Sequence, residues 1–169
     1  MVHLYYGNGK GKTTAACGLA VRAVGSGMRV LWVQFFKDGS SSENSVLTFL
    51  PQVDVLIPKV FYGWLRDMTE EQKEETRKCY SSVLQDVEKR IDGYDLLVLD
   101  EVIFAHNHGL IDHEMLMDIL LKNKMEKEII LTGRDPAPEI CKAADYMTEM
   151  KKIKHPFDLG VTARKGIEY

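Results

Sequence analysis

Eight residues near the start of the chain, Gly7-Asn8-Gly9-Lys10-Gly11-Lys12-Thr13-Thr14, combine the chemical groups that hold a phosphate chain. Glycines at alternate positions let backbone N–H groups turn toward one point. Lys12 brings a positive charge to that point, and the Thr13 hydroxyl can ligate a divalent cation such as Mg²⁺. The general pattern G-x-x-x-x-G-K-[ST] puts a glycine where Tyr6 stands. Here that glycine comes one residue later, at Gly7, so the loop is tighter at its start. A second chemical signal lies at Asp100 and Glu101, two carboxylates that end the apolar run Leu96-Leu97-Val98-Leu99. In phosphate-loop proteins such a strand lies beside the first one, and its terminal acid faces the metal that the loop hydroxyl touches.

The elements needed to position these groups follow from periodicity. Val2 to Tyr6 predicts a strand, and the apolar face Ala16, Leu19, Ala20, Ala23 and Val24 predicts a helix over 13–24 that stops at Gly25-Ser26-Gly27. The continuous run from Arg29 to Phe36 predicts a strand buried on both faces. Residues 39–45 read as a polar flexible loop, and Val53 to Ile57 as a weaker strand. Thr69 with Gln72 forms the pattern of a capping box before a long helix that Gly93 ends. A helix over 112–123, a strand over 128–132 running into Gly133-Arg134, a short helix opened by Pro136 and Pro138, and a last strand over 146–150 complete the series. This alternation predicts an α/β fold, a three-layer arrangement with a mostly parallel sheet of about six strands. The loop 7–14, residues 34–37, Asp100-Glu101 and Gly133-Arg134 should then share one sheet edge.

Composition narrows the surroundings. The 169 residues fit a single domain over 1–169, and the formal net charge of −3 argues against an open nucleic-acid surface. Cys17, Cys79 and Cys141 are widely spaced without a C-x-x-C pair, as expected of reduced intracellular thiols. No apolar run has the length of a membrane span, and no leader precedes the first strand, so a cytoplasmic protein is expected. His106, His108 and His113 lie close together, but no Cys or carboxylate cluster completes a metal site, and they read as the loop entering the helix at Asp112.

Several blocks together carry a resemblance. Gly7 to Ala16, Val33-Gln34-Phe35 with Lys37, Leu99-Asp100-Glu101, Leu131-Thr132-Gly133-Arg134, Lys154-His155-Pro156-Phe157-Asp158 with Gly160, and the ending Gly166-Ile167-Glu168-Tyr169 occur in order along the whole chain. In this the sequence resembles the phosphate-loop type of ATP:corrinoid adenosyltransferase, a RecA-like nucleotide-binding fold. The resemblance implies transfer of the 5′-deoxyadenosyl group of ATP to the Co(I) centre of a reduced corrinoid, with release of triphosphate. It implies ATP contacts from Asn8, Gly9, Lys10, Gly11, Lys12, Thr13, Thr14 and Arg134, with Mg²⁺ held by Thr13 and Glu101 and with Lys12, Thr13 and Glu101 as the catalytic groups. Arg134 could equally meet the corrinoid or form an ion pair. Tyr62 and Trp64, in the aromatic run after the third strand, are implied to cap the lower face of the corrinoid. A homodimer and a flavodoxin-like or other reductant protein are implied as partners. With no segment ahead of the first strand, closure of the corrinoid pocket is expected from residues 39–45 or from a partner subunit. Two other classes use the same cradle: an ATPase or kinase acting at the terminal phosphate, and a non-catalytic ATP-gated binding module.

Overall fold

Period-two alternation along the central strands decides the architecture. Leu31, Val33, Leu97, Leu99, Ile129 and Leu131 pack into one hydrophobic core, while Val30, Trp32, Leu96, Val98 and Ile130 pack into a second on the opposite face. A sheet apolar on both faces has to be covered on both. The computed structural model, which describes residues 1–168, shows how. Six strands, β1 (Val2–Tyr6), β2 (Val30–Gln34), β3 (Val53–Leu56), β4 (Leu96–Asp100), β5 (Glu128–Gly133) and β6 (Tyr146–Glu149), form one all-parallel sheet in the order β3-β2-β4-β5-β1-β6. Helices α1 (Lys12–Gly25) and α2 (Ser42–Leu47) bury Ala16, Ala20, Ala23 and Leu47 against one face. Helices α3 (Glu70–Arg90), α4 (Val102–Asn107), α5 (His113–Asn123) and α6 (Pro138–Ala143) bury Tyr80, Leu84, Val87, Ile103, Leu116, Ile119 and Ile140 against the other.

The capping box that opens α3 is made as the sequence predicts: the Gln72 N–H donates to Thr69 Oγ1 at 3.2 Å, and the Thr69 N–H donates to Gln72 Oε1 at 2.9 Å. Three expectations are corrected. Strand β4 does not lie beside β1, because β5 is inserted between them and pairs with both. The serine-rich segment is not a free loop: its second half forms α2, with Leu47 fully buried and Asn44 nearly so. Residues 102–107 form helix α4 rather than a connecting loop. Val102, Ile103 and Ala105 give them an apolar face that the nearby histidines mask in the sequence. Tyr169, the end of the tail motif, lies outside the described residues.

Candidate active site

The loop between β1 and α1 is a turn that closes back on itself. Gly7 and Gly11 sit at φ 108° and 115°, conformations that suit glycine. Lys12 opens α1 and arches over the loop, its ammonium donating to the Gly7 and Gly9 carbonyls at 2.9 Å each. Burial lowers the Lys12 pKa, the Glu101 charge opposes that shift, and Arg134 adds to it. The segment that follows β6 supports the loop from behind. The Gly9 N–H donates to the Met150 carbonyl at 2.6 Å, and the Lys152 N–H donates to Asn8 Oδ1 at 2.9 Å. The Gly9 N–H and the Asn8 carbonyl group are thus engaged by the protein itself. Lys10 and Thr14 stand exposed at the two sides of the loop.

Asp100 is the hub of the site. Its side chain is wholly buried, and its carboxylate accepts from groups on four segments. Thr13 Oγ1 donates to Oδ1 at 2.9 Å, and Thr132 Oγ1 donates to the same oxygen at 2.7 Å. Gln34 Nε2 reaches Oδ2 at 3.2 Å, and the Lys37 ammonium stands 3.3 Å from it. The inserted strand β5 makes this possible, because Thr132 spans the gap between β4 and the phosphate loop. The Lys37 ammonium is shared with Glu43 at 3.3 Å, and Gln34 also donates to Glu43 at 2.9 Å. Burial pulls the Lys37 pKa down, but the Asp100 and Glu43 charges outweigh it and hold the ammonium above the ordinary lysine value. Asn44 Nδ2 donates to Gln34 Oε1 at 2.8 Å, tying α2 to the same network. The segment 39–45 is therefore anchored to the end of β2 and to Asp100 through Glu43 and Asn44.

Glu101 turns away from Asp100. Its φ of 58° places it in the left-handed region, and its N–H donates to Thr132 Oγ1 at 2.8 Å. Burial and the neighbouring Asp100 charge push its pKa up, against the pull of Lys37, Lys12 and Arg134. Glu101 lines a cavity of about 580 Å³ together with Phe36, Lys37, Phe61, Gly63, Trp64, Leu65, Phe104 and Arg134. The three non-glycine residues with positive φ among the described residues, Phe36, Glu101 and Asp135, all follow the carboxyl ends of strands at this edge. Phe36 is held there by its N–H, which donates to the Tyr80 hydroxyl at 3.0 Å, and by an edge-on contact with Phe104. Burial pushes the Tyr80 hydroxyl up to about 12.

The sequence-derived residues are distributed as follows. Lys12, Thr13, Glu101 and Arg134 converge on this edge, but the Thr13 hydroxyl is bonded to Asp100 and not to Glu101. Trp64 lines the cavity, whereas the Tyr62 hydroxyl bonds Glu75 on α3, and Phe61 takes the wall position beside Trp64. Gln34, Lys37, Glu43, Thr132, Phe36 and Phe104 were not singled out as site residues. Gln34 and Thr132 did carry a signal: each is a polar residue inside an apolar strand, which needs a partner when buried. His106 and His113 bond each other at 2.9 Å, and no group of three or more metal-type side chains occurs among the described residues. His155 Nδ1 accepts the Phe157 N–H at 3.2 Å and so caps the turn Pro156–Leu159.

The glycine loop and the aromatic-lined cavity thus lie at one sheet edge. The model of the family ATP:corrinoid adenosyltransferase BtuR/CobO/CobP matches residues 1–169. The chain belongs to this family. It is 33% identical to a corrinoid adenosyltransferase of Pseudomonas aeruginosa over 98% of this chain and 82% of that one. It is 33% identical to one of Escherichia coli K12, over 100% and 85%, and 32% identical to corrinoid adenosyltransferase CobA of Salmonella typhimurium, over the same shares. Among solved structures, the flagellar accessory protein FlaH of Methanocaldococcus jannaschii superposes with a TM-score of 0.55. That match has 15% identity and covers 88% of this chain and 69% of that one, which shows a common fold alone. For this family member, an oxygen donor set of one hydroxyl and nearby carboxylates, Thr13 with Asp100 and Glu101, fits a hard cation such as Mg²⁺.

Proposed function

We propose that this chain transfers the 5′-deoxyadenosyl group of ATP to the Co(I) centre of a corrinoid and releases triphosphate. The observation that carries the reading is the shared edge. The loop 7–14 opens beside a cavity of about 580 Å³ walled by Phe36, Phe61, Trp64, Leu65 and Phe104. An enzyme acting only at the terminal phosphate has no use for that apolar volume, whereas a corrin ring needs one. Co(I) donates an electron pair to C5′, the C5′–O bond breaks, and the triphosphate leaves with that bond's electrons. The cobalt ends formally as Co(III). A metal-centred nucleophile of this strength needs no protein nucleophile, in keeping with the absence of a Ser-His-Asp or Cys-His arrangement from the motifs of this chain.

The chain's own contribution is electrostatic and geometric. Lys12 leaves the Gly7 and Gly9 carbonyls for the phosphates, joined by Lys10 and by the N–H groups of the first turn of α1. Mg²⁺, when bound at Thr13 with Asp100 or Glu101 nearby, supplies further neutralisation of the leaving triphosphate. Trp64, with Phe61, presses on the lower face of the ring and keeps an axial ligand from the cobalt, which eases reduction of Co(II) to Co(I). Delivery of the electron by a flavodoxin-like or other reductant protein, a homodimeric assembly and a cytoplasmic location belong to the same reading. The test is anaerobic incubation of protein, Mg-ATP, reductant and corrinoid. The expected result is the absorbance of a light-sensitive cobalt–carbon product with stoichiometric triphosphate. ADP and phosphate as products would overturn it.

A further inference from the structure

Among the described residues, Lys37 is the cation that pairs directly with Asp100. Its ammonium stands 3.3 Å from Asp100 Oδ2 and 3.3 Å from Glu43 Oε1. The Gln34 amide donates to those same two oxygens, at 3.2 and 2.9 Å, so both carboxylates aim at one small region. Asp100 has no exposed side-chain surface, and the Glu43 and Lys37 side chains are 17% and 24% exposed. Glu101 lines the neighbouring cavity, where the charges of Lys37, Lys12 and Arg134 all act on it. Without the ammonium, the Asp100 and Glu43 carboxylates would be left facing each other beside the Thr13 hydroxyl, an oxygen-rich, negative pair of the kind that attracts a hard divalent cation. Lys37 is also fixed in place. The residue before it, Phe36, is held in a left-handed conformation at φ 53° by its bond to the Tyr80 hydroxyl.

We propose that Lys37 is an internal cation that keeps the Asp100–Glu43 carboxylate pair closed to divalent metal, so that metal enters this site only with nucleotide. With the pair neutralised, Thr13 and one carboxylate oxygen are too few donors to hold a metal. Phosphate oxygens arriving at the loop supply the missing donors and the missing negative charge. Lys37 is thus a positioning residue for the metal step, acting through Asp100 and Glu43. This inference rests on the reading of the edge as a nucleotide and metal site, but it needs no corrinoid.

The experiment is a titration of the full chain with Mn²⁺, reading free Mn²⁺ by electron paramagnetic resonance, without nucleotide and with ATP. Wild type should take up Mn²⁺ only with ATP. Lys37→Met and Lys37→Gln should bind one Mn²⁺ without nucleotide at least tenfold more tightly than wild type, and Lys37→Arg, which keeps the charge, should stay closed. Thermal unfolding of each variant checks that it is folded. Wild type binding Mn²⁺ as tightly without ATP as with it overturns the proposal, and that measurement requires no variant. Folded Met and Gln variants that match wild type, or an Arg variant that opens like Met, overturn it as well. If wild type takes up no Mn²⁺ even with ATP, the metal assignment at Thr13 falls. The comparison without nucleotide then still decides the role of Lys37.

Discussion

Replacing Asp100 by asparagine removes a charge while keeping the shape, so it isolates what the charge does. Four donors converge on the carboxylate: two threonine hydroxyls on Oδ1, and Gln34 and Lys37 on Oδ2. An amide has only one acceptor oxygen. Lys37 has no acceptor, and Gln34 Oε1 is occupied by Asn44, so the asparagine oxygen must face that side. Its NH₂ then faces Thr13 and Thr132, whose hydroxyls must turn to accept. That uses a Thr13 lone pair that a metal would need. Hydrogen bonds to a charged group contribute about 1.5–3 kcal/mol and neutral ones about 0.5–1.5 kcal/mol, so loss of charge at the two short bonds costs about 2–3 kcal/mol. In urea, with a slope of about 2 kcal/mol per molar, the midpoint should fall by about 1 M. Asp100→Ala strips both threonine hydroxyls of this acceptor and leaves Gln34 and Lys37 with Glu43 alone, and it should cost more, about 3–5 kcal/mol. The assays are urea unfolding of both variants and calorimetric titration with Mg-ATP, whose affinity should drop at least tenfold for the asparagine variant. An asparagine variant with the wild-type midpoint and wild-type Mg-ATP affinity would refute the hub assignment, as would an alanine variant more stable than the asparagine one.

Lys12→Ala should lower ATP affinity by more than tenfold, measured by calorimetry, because the central charge facing the phosphates is lost; near-normal affinity would contradict the cradle. Trp64 is 74% exposed, so Trp64→Ala should shift stability by no more than about 0.5 kcal/mol. The same variant should impair reaction from Co(II) more than from pre-reduced Co(I), and equal losses would remove its role in reduction. A Cβ on Gly9 would lie 2.5 Å from the Met150 carbonyl oxygen, which already accepts the Gly9 N–H. Gly9→Ala should therefore lower stability by about 2–4 kcal/mol, from a forced backbone shift plus a lost hydrogen bond, and a thermal midpoint equal to wild type would disprove that close approach. Glu101 has a folded-state pKa above its unfolded value, so the folded protein holds more protons in that interval and loses stability as pH rises through it. Glu101→Gln should accordingly raise the urea midpoint over that of wild type by more at pH 7 than at pH 4, while abolishing turnover; a variant less stable than wild type at pH 7 would reverse the sign.

What was legible in the sequence is what local chemistry determines. The glycines of the loop, the Thr69–Gln72 capping box and the apolar runs of β1, β2, β4 and β5 each carry their structure in a few adjacent residues, and the chain order of the elements followed. Strand order did not. Nothing in the 96–100 or 128–133 segments says that β5 separates β4 from β1, because lateral order depends on crossovers between distant parts of the chain. That single topological fact decides which carboxylate meets Thr13. With β5 in between, Thr132 bridges to Asp100, and Glu101, one residue further, emerges on the cavity side. Glu43 was hidden for a related reason. It lies in a segment whose polar residues look like a solvated loop, and only Gln34 and Lys37, themselves drawn to the buried Asp100, bring it in.

The same topology explains why strain and like charge accumulate at one edge. Phe36, Glu101 and Asp135 bend out of the strand direction immediately beyond β2, β4 and β5, where the chain must leave the sheet and present a side chain to the space above it. Burial, with the charge of the adjacent Asp100, raises the pKa of Glu101 and so opposes folding at neutral pH. A structure selected only for stability would remove both features, with glycine at the turns and one carboxylate fewer. Their retention beside a cradle of lysines makes sense if the missing positive charge arrives with ligand and metal. On the proposed reading the edge is set up for a bound state: its carboxylates face Lys37 and Lys12 in the free protein, and metal, phosphate and those lysines together would provide for them with ATP in place.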